Sequence, residues 1–340
     1  MELFGPGKEW IVGITDHITP PADIEQHGFP EATFVFLGDF RKDERWKEVW
    51  RRVDALLVWH WHVERETVSL LDRCKIVVRY GVGFDTIDLD ALASRNIPLC
   101  NTPDYGTEEV ADTACAMILA LQRKLVAYDR AARRFEKGWQ ENVLHPQHRT
   151  SSCTVGLIGV GRIGTAVVNR LKPFGYTILG YDPYVPSGHE KAVGYLRVSH
   201  LEELLERSDI VSLHCPLTHD TMGMVDSAFI SRMRPGACLV NTARGGIIES
   251  LDLIEAALRE GHLAAAAFDV LPDEPPVEHS LLKAWREDHD WLSGRLIVNP
   301  HTAYYSEEGW YEMRFKAAET ARIYLTEGRL RNHIQNGVFV

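Results

Sequence analysis

The stretch that decides the fold is Thr154-Val-Gly-Leu-Ile-Gly159-Val-Gly161-Arg-Ile-Gly164. It contains the pattern GxGxxG, with an apolar strand predicted before it and a helix predicted over residues 162–171. In this setting the first glycine allows a tight turn, the second lets a pyrophosphate approach the main chain, and the third lets the helix pack on the strand. The N–H groups and the dipole at the start of the helix favour a bound anion. The stretch therefore predicts a dinucleotide-binding βαβ unit.

A carboxylate stands where such a unit binds the ribose of its dinucleotide. A second apolar strand ends in Tyr181-Asp182-Pro183, and Asp182 follows Gly164 by 18 residues, close to the spacing of about 20 that is typical of these units. A carboxylate there accepts hydrogen bonds from the ribose and repels a 2′-phosphate, so the sequence favours NAD over NADP. The alternative is a tight strand–helix turn that an ordinary surface aspartate happens to follow.

Short apolar strands alternate with amphipathic helices along most of the chain. This alternation predicts parallel sheets that helices cover on both faces. Strands are predicted at residues 10–15, 33–37, 55–59, 75–79 and 97–100 of the first part, and at residues 154–158, 177–181, 210–214, 238–241, 264–270 and 296–299 of the second part. Apolar residues recur at spacings of 3 and 4 from Thr107 to Lys137, which predicts one long helix that joins the two parts. A further helix is predicted over residues 308–327.

Composition and charge restrict the class of protein. The 340 residues are 45% hydrophobic and 25% charged, which predicts two globular domains rather than a disordered or fibrous chain. The formal charge of −11 argues against nucleic acid or an anionic membrane as the main partner. We expect a cytoplasmic location, because the sequence shows neither a membrane-spanning run nor a signal-peptide core. The six cysteines form no CxxC pair, which predicts buried thiols and no metal site.

Three polar residues follow successive predicted strands of the second part, namely Arg244, Glu274 and His301. Because the carboxyl ends of parallel strands face the ligand crevice, we expect them to lie beside the dinucleotide. An arginine can bind a carboxylate with two hydrogen bonds, a histidine can exchange a proton with a hydroxyl group, and a glutamate can orient that histidine. Each residue alone has an ordinary explanation as a strand-end ion pair, a solvated acidic loop or a loop histidine. Together they predict acid–base chemistry on a substrate that carries a carboxylate.

Over nearly its whole length, the sequence resembles the D-isomer-specific 2-hydroxyacid dehydrogenase family. The segments that carry the resemblance are Arg79-Tyr-Gly-Val-Gly83, Gly159-Val-Gly-Arg-Ile-Gly164, His214-Cys-Pro216, Asn241-Thr-Ala-Arg244 and Asn299-Pro-His301. Within the family, Tyr181-Asp-Pro-Tyr184 and Pro300-His-Thr-Ala-Tyr-Tyr-Ser-Glu307 are most similar to the C-terminal binding protein branch. That branch contains transcriptional corepressors as well as bacterial enzymes.

The resemblance implies an α/β fold with two Rossmann-like or flavodoxin-like parallel-sheet domains and an active-site cleft between them. Residues 1–105 and 303–340 would form the substrate-binding (catalytic) domain, and residues 106–302 would form the NAD-binding Rossmann domain. The resemblance also implies a homodimer built through the NAD-binding domain.

The same resemblance implies a role for each candidate residue. Arg244 would hold the substrate carboxylate, His301 would be the general acid and base, and Glu274 would be the partner of His301. The substrate would also contact Arg79, Val82, Gly83, Tyr304 and His60. The cofactor would contact Thr107, Gly159, Gly161, Arg162, Ile163, Gly164, Asp182, His214, Pro216, Thr221, Thr242, Ala243, Arg244, Asp269 and His301.

The expected activity is the NAD-dependent interconversion of a 2-keto acid and a D-2-hydroxy acid. The alternative is an NAD(H)-sensing interaction protein, similar to the corepressors, in which dehydrogenase activity is incidental. Two features depart from the corepressor branch: Tyr304 stands where that branch usually has tryptophan, and extra residues lie between Glu274 and His301. A third unusual feature is the cluster Trp59-His60-Trp61-His62, which forms either a packed aromatic edge or a contact with the substrate side chain.

Overall fold

The computed structural model describes residues 9–16, 18–133, 139, 143–144, 146–335 and 338–339. Its strands are β1 (Trp10–Ile14), β2 (Ala32–Phe36), β3 (Ala55–Val58), β4 (Ile76–Arg79), β5 (Leu99–Asn101), β6 (Thr154–Ile158), β7 (Thr177–Tyr181), β8 (Leu196–Arg197), β9 (Ile210–Leu213), β10 (Ala237–Asn241), β11 (Leu263–Phe268), β12 (Leu296–Val298), β13 (His333–Gln335) and β14 (Val338–Phe339). Its α-helices are α1 (Asp23–Gly28), α2 (Arg45–Trp50), α3 (Arg65–Ser69), α4 (Leu89–Ser94), α5 (Thr107–Gln122), α6 (Leu125–Arg133), α7 (Arg162–Leu171), α8 (His189–Val193), α9 (Leu201–Arg207), α10 (Ser227–Arg232), α11 (Leu251–Glu260), α12 (Ser280–Arg286) and α13 (Glu307–Glu327).

The chain forms two compact units. Unit 1 contains Met1–Gly106 and Tyr305–Val340, and unit 2 contains Thr107–Tyr304. The domain boundaries expected from the sequence, at 105/106 and 302/303, stand one and two residues from these divisions. No helix in the described ranges is long and apolar enough to cross a membrane.

Unit 1 is built on a seven-stranded sheet in the order β14-β13-β5-β4-β3-β1-β2. The strands from β5 to β2 run parallel, whereas β13 pairs antiparallel with β5 and with β14. The central strands carry apolar residues on both faces, and Val12, Leu56 and Val77 are completely buried, as expected for a parallel sheet between helical layers. Helix α13 packs against α1 and β4, so the C-terminal segment completes this unit.

A buried ion pair fixes α13 to α1 inside unit 1. The guanidinium of Arg314 donates to both carboxylate oxygens of Glu25, at 2.7 and 2.6 Å, and the Tyr80 hydroxyl donates to the same carboxylate at 3.0 Å. Glu25 is 0% exposed and Arg314 is 8% exposed. Burial, followed by the charge of Glu25, raises the pKa of Tyr80 well above its ordinary value. The carboxylate is therefore satisfied by a bidentate arginine and a tyrosine that stays protonated.

Unit 2 contains a second seven-stranded sheet, in the order β12-β11-β10-β9-β6-β7-β8, and all of its neighbouring strands are parallel. Val155, Leu157, Val211, Leu239 and Ala267 are completely buried in these strands. The two sheets confirm the predicted fold class of parallel α/β domains. In unit 2 the chain adds β7 and β8 on one side of β6 and then β9 to β12 on the other side. The carboxyl ends of the neighbouring strands β6 and β9 therefore lie side by side, where ligands bind in sheets of this type.

The single helix predicted from Thr107 to Lys137 is wrong. Helix α5 ends at Gln122 and α6 begins at Leu125; the last residues of the predicted helix, 134–137, lie outside the described residues. Between the helices, Lys124 adopts φ 52 and donates its N–H to the Leu121 carbonyl at 3.1 Å. A left-handed residue at this position ends a helix. Because lysine has no special preference for that conformation, the sequence pattern gave no sign of the break.

Candidate active site

The glycine-rich turn joins β6 to α7 and is shaped by close main-chain contacts. Gly159 has φ 90, and a Cβ there would lie 2.7 Å from the carbonyl carbon of His214. A Cβ on Gly164 would collide with the Gly159 carbonyl oxygen, so these two positions require glycine. Gly161 precedes the first residue of α7, and nothing lies within 4 Å of the position a Cβ would take there. The start of α7 is thus open to a ligand.

Asp182 follows β7 and holds this turn. Its Oδ2 accepts the Val160 N–H at 2.8 Å, and its Oδ1 accepts the Tyr184 N–H at 2.9 Å. The carboxylate is therefore fixed beside the glycines, where the sequence spacing predicts it. Sequence reasoning missed His189, whose Nε2 lies 3.0 Å from the Val160 carbonyl and 3.1 Å from the Thr165 hydroxyl. His189 is the first residue of the short helix α8, and no sequence pattern links it to the glycine turn.

Two buried polar atoms near the ends of β9 and β10 have no hydrogen-bond partner in the described part of the chain. They are the Nδ1 of His214 and the hydroxyl oxygen of Thr242. The other ring nitrogen of His214 lies 2.9 Å from the Ser212 hydroxyl. Burial lowers the pKa of His214 to about 4, so the ring is neutral at physiological pH. Since buried polar atoms are normally satisfied, these two are candidates for hydrogen bonds with a ligand.

The loop after β10 is organised by Asn241, for which the sequence alone predicted no role. Asn241 is completely buried; its side chain donates to the Arg244 carbonyl and accepts the Ala243 N–H, both at 2.9 Å. These two bonds close the loop on itself. The half-buried Arg244 donates through Nη1 to the Ala243 carbonyl at 2.8 Å. A buried asparagine directly before a turn is the signal that could have identified this role.

Glu274 and His301 are brought into contact from loops that follow β11 and β12. Glu274 Oε2 lies 2.6 Å from His301 Nδ1, and Glu274 Oε1 accepts the Leu271 N–H at 2.8 Å. Burial acts to raise the pKa of Glu274, but the hydrogen bond and charge of His301, the Leu271 N–H and the charge of Arg244 together hold that pKa below its ordinary value. Glu274 is therefore ionised at neutral pH and can accept a hydrogen bond from a protonated Nδ1 of His301.

Asp269, at the end of β11, fixes the loop that carries His301. Its carboxylate accepts the N–H groups of Thr302 and Ala303 at 3.0 to 3.1 Å, and its carbonyl accepts the His301 N–H at 2.8 Å. Burial raises the pKa of Asp269, although these N–H groups and the charge of His301 partly offset that effect. His301 has φ 54, a conformation that costs energy for a residue with a Cβ and persists only where the surroundings enforce it.

The remaining candidates of unit 2 lie around these groups. The Tyr304 ring stands edge-on to His301, with 6.5 Å between centroids. Thr221 donates to the Pro216 carbonyl at 2.6 Å, which closes the loop after β9. Thr107 is the first residue of α5. In the described ranges no hydrogen bond joins Thr107 or Thr221 to the glycine turn.

The candidates of unit 1 lie at the ends of β3 and β4. The indole N–H of Trp59 donates to His60 Nε2 at 2.7 Å, and the main-chain N–H groups of His60 and Trp61 each donate to Asp16 at 2.8 Å. Trp59 is buried against Trp310, with 4.9 Å between ring centroids, so Trp59 belongs to a packed aromatic edge. The His60 side chain is 56% exposed. Arg79 is the last residue of β4, and Val82 and Gly83 lie in the turn that follows it.

Residues 115–303 match the NAD-binding domain of the D-isomer specific 2-hydroxyacid dehydrogenases. The chain belongs to this family. The match lies within unit 2 and therefore identifies it as an NAD-binding domain, which confirms the predicted cofactor. The narrower resemblance to the C-terminal binding protein branch stays a prediction.

Individual members of the D-isomer specific 2-hydroxyacid dehydrogenase family show how far the similarity extends. A D-3-phosphoglycerate dehydrogenase of Mycobacterium bovis is 33% identical over 273 residues, which cover 80% of this chain and 49% of that protein. The chain thus spans about half the length of the curated relatives it matches. The D-lactate dehydrogenase of Aquifex aeolicus, solved with NAD and lactic acid, is 28% identical with a TM-score of 0.78 over 92% of this chain and 95% of that one. The apo D-mandelate dehydrogenase of Rhodotorula graminis is 25% identical with a TM-score of 0.81 over 95% and 96%.

The NAD-binding domain of this chain has features that fit the cofactor. The space at Gly161 leaves the start of a ten-residue helix open to a pyrophosphate. The Asp182 carboxylate is fixed at the same turn, and the unpartnered His214 and Thr242 atoms lie near the ends of two neighbouring strands. Among the residues that the structure describes, no cluster of histidine, cysteine and acidic side chains could hold a metal ion.

Proposed function

We propose that the protein is an NAD-dependent oxidoreductase that interconverts a 2-keto acid and a D-2-hydroxy acid. The observation that carries this proposal is the contact of 2.6 Å between Glu274 and His301. These residues and Arg244 follow β11, β12 and β10, which are adjacent strands of the NAD-binding domain. An ionised acid, a histidine and an arginine at one end of these strands are suited to proton transfer on a substrate that carries a carboxylate.

NAD supplies or accepts the hydride when it is bound. In our proposal, the main chain at Gly161, Arg162 and Ile163 binds its pyrophosphate, and Asp182 binds its adenosine ribose. Ala243 and Asp269 orient the nicotinamide amide. The neutral His214 and the loop from Pro216 to Thr221 line the groove; Thr107 and Thr242 are further contacts.

His301 moves the proton in this mechanism. Because Glu274 is ionised and can only accept a hydrogen bond, Nδ1 carries a proton and Nε2 is the atom that faces the reaction. In reduction, Nε2 passes its proton to the carbonyl oxygen as negative charge develops there. In oxidation, Nε2 takes the proton from the substrate hydroxyl, and the Glu274 carboxylate stabilises the positive ring that results.

In unit 2, Arg244 is the proposed contact for the substrate carboxylate, and Tyr304 is the proposed contact for the substrate side chain. In unit 1, the proposed contacts are the main-chain N–H groups of Val82 and Gly83, close to the Arg79 guanidinium, for the carboxylate, and His60 for the side chain. The relatives are named for D-lactate, D-mandelate and D-3-phosphoglycerate, which differ in the size and charge of that side chain. The identity of the substrate thus depends on these last contacts.

The first test is a screen of pyruvate, benzoylformate and 3-phosphohydroxypyruvate with NADH and with NADPH. We expect turnover of at least one keto acid, with NADH preferred. On that substrate, His301→Ala should lower kcat by about 10²–10⁴-fold, the range of acid–base catalysis, with a nearly unchanged Kd for NADH. Unchanged turnover by this variant would refute the assignment of His301. NADH binding without turnover of any keto acid would favour the NAD(H)-sensing alternative.

We also propose that the protein is a homodimer through its NAD-binding domain. Leu125, Val126, Val143 and Trp285 of that domain are between 37% and 57% exposed, and Val126 and Trp285 line the same surface pocket. Contiguous exposed apolar surface is typical of interfaces. Light scattering coupled to size-exclusion chromatography should give twice the chain mass. Leu125→Asp combined with Val126→Asp should reduce that mass to one chain, whereas the exposed control Tyr184→Asp should not.

A further inference from the structure

The turn at the end of β4, residues Arg79–Gly83, has its carbonyl groups held by two buried side chains at the end of β5. Asn101 donates through Nδ2 to the Val82 carbonyl at 2.7 Å. The Thr102 hydroxyl donates to the Tyr80 carbonyl and lies 3.3 Å from the preceding carbonyl. Asn101 and Thr102 are 0% and 1% exposed. Since their main chain belongs to the end of the sheet, they hold the turn from a rigid base.

The bond from Asn101 sets the direction of one peptide plane. In a trans peptide the C=O and N–H groups point in opposite directions, and the Val82–Gly83 bond is not one of the cis peptides. Because the Val82 carbonyl points toward Asn101, the Gly83 N–H points away from β5. In the described part of the chain, neither the Val82 nor the Gly83 N–H donates a hydrogen bond.

Positive charge lies over the same turn. The nearest guanidinium nitrogen of Arg79 is 3.2 Å from the position that a Cβ would take on Gly81. Consecutive N–H groups without acceptors, next to a guanidinium, attract an anion. The orientation of the Val82–Gly83 peptide therefore decides whether this turn presents a donor or an acceptor to a carboxylate.

We propose that Asn101 is a positioning residue that holds the Val82–Gly83 peptide with its N–H toward the substrate carboxylate. This inference rests on the proposed function, which assigns the carboxylate to that peptide. Asn101 acts through Val82, because its Nδ2 donates to the Val82 carbonyl and the whole residue is buried. Without the side-chain amide, the peptide is free to rotate and to turn its carbonyl toward the anion, which weakens binding of the carboxylate.

The kinetic test uses Asn101→Ala and the isosteric Asn101→Asp, both of which lose the donor to Val82. We expect KM for the keto acid to rise about tenfold or more, as for the loss of one hydrogen bond to a charged group, with kcat changed by less than about threefold and Kd for NADH unchanged. The matched control is Asn332→Gly. It removes an amide that donates to the Asn101 carbonyl at 3.4 Å from a residue with φ 53, which glycine adopts readily.

A second readout observes the peptide directly. With ¹³C′-labelled valine and ¹⁵N-labelled glycine, only the five Val–Gly peptides of the chain, those before Gly13, Gly83, Gly156, Gly161 and Gly194, give a correlated NMR signal. Oxamate, added as an anionic probe in the presence of NADH, should shift the Gly83 signal of the wild type. In Asn101→Ala this shift should need about tenfold more oxamate, while NADH should shift the Gly161 signal equally in both proteins.

The outcomes separate this inference from the proposed function. Wild-type turnover combined with unchanged KM and oxamate affinity in both Asn101 variants overturns the role of Asn101 and leaves the proposed function standing. A loss of kcat at constant KM also overturns it, because the residue would then act on the reacting atoms. If the wild type reduces no keto acid but oxamate shifts the Gly83 signal in an Asn101-dependent way, the proposed function fails and the positioning role holds. Should Asn101→Ala fail to fold, Asn101→Asp carries both measurements.

Discussion

Glu274 Oε2 and His301 Nδ1 lie 2.6 Å apart, although the two residues are 27 positions apart in the chain. The Leu271 N–H holds the other carboxylate oxygen, and Asp269 holds the main chain on either side of the His301 side chain. Both partners are therefore anchored to the end of β11. This arrangement leaves the imidazole one orientation in which Nδ1 faces the acid and Nε2 faces away from it.

The first prediction concerns the charge of Glu274. Glu274→Gln keeps an oxygen that accepts the Nδ1 proton but removes the negative charge that stabilises the protonated ring. We expect kcat to fall about 10- to 100-fold, less than the full range of acid–base catalysis, with Kd for NADH unchanged. Steady-state kinetics and NADH fluorescence titration measure the two quantities. Glu278→Gln, an exposed glutamate of the same loop, is the matched control, and a Glu274→Gln enzyme with full kcat would contradict the role of the charge.

The second prediction follows from the pKa of His214, which burial lowers to about 4. The unfolded chain binds a proton at this residue below the ordinary histidine value of about 6.5, whereas the folded protein binds it only near pH 4. The folded state therefore loses stability at this residue as the pH falls from about 6.5 to about 4. We expect the Tm difference between wild type and His214→Gln to be constant above pH 7 and to move in favour of the variant toward pH 4. Parallel Tm profiles in differential scanning fluorimetry would show that His214 titrates normally.

The third prediction concerns the choice between NADH and NADPH. Asp182 is fixed at the glycine turn by the Val160 N–H, so its charge stands where a 2′-phosphate would be repelled. Asp182→Ser should lower the NADH-to-NADPH ratio of kcat/KM by about tenfold or more, equivalent to about 1.4 kcal/mol. The control Asp252→Ser removes an 85% exposed aspartate of α11 and should leave the ratio unchanged. A wild-type preference for NADPH would contradict the role of Asp182 before any variant is made.

The fourth prediction concerns the buried ion pair of unit 1. Arg314→Met leaves the Glu25 carboxylate uncompensated, and we expect it to lower the free energy of unfolding by about 3–5 kcal/mol. The double variant Glu25→Leu/Arg314→Met should recover most of that loss, because no charge is then left buried. Urea denaturation of the wild type and the two variants measures both changes in the free energy of unfolding. A double variant as unstable as Arg314→Met would mean that packing, rather than the unpaired charge, causes the loss.

The positions of the longer strands, and of the polar residues that directly follow them, were predictable from the sequence. The apolar runs before Asn241 and Asp269 are buried strands in the structure, and the run before Asn299 is a partly buried strand. Beyond the last two strands, Glu274 Oε2 lies 2.6 Å from His301 Nδ1. This succeeded because parallel strands need nearly continuous apolar sequence and short turns, both of which are local properties. The strands β8, β13 and β14, which are two or three residues long, were missed, because no longer apolar run marks them in the sequence.

Features that depend on distant parts of the chain were not predictable. Glu25 and Arg314 are separated by 289 positions, and each alone looks like an ordinary surface charge in an amphipathic helix. The same applies to Asn101, whose function in the structure depends on a carbonyl in another loop. The break at Lys124 depends on a main-chain conformation that most lysines avoid. In each case the decisive contact is tertiary, and local propensity says nothing about it.

Unit 1 is assembled from two separate segments of the chain, which affects the order in which the two units can fold during biosynthesis. When β1 to β5 leave the ribosome, the surface that α13 later covers is still exposed, and the Glu25 carboxylate still lacks the arginine that follows it 289 residues later. Unit 2 is translated in between as one continuous segment and contains all the strands of its own sheet. The NAD-binding domain can therefore fold first on the ribosome, whereas unit 1 can complete its fold only after α13 has been synthesised.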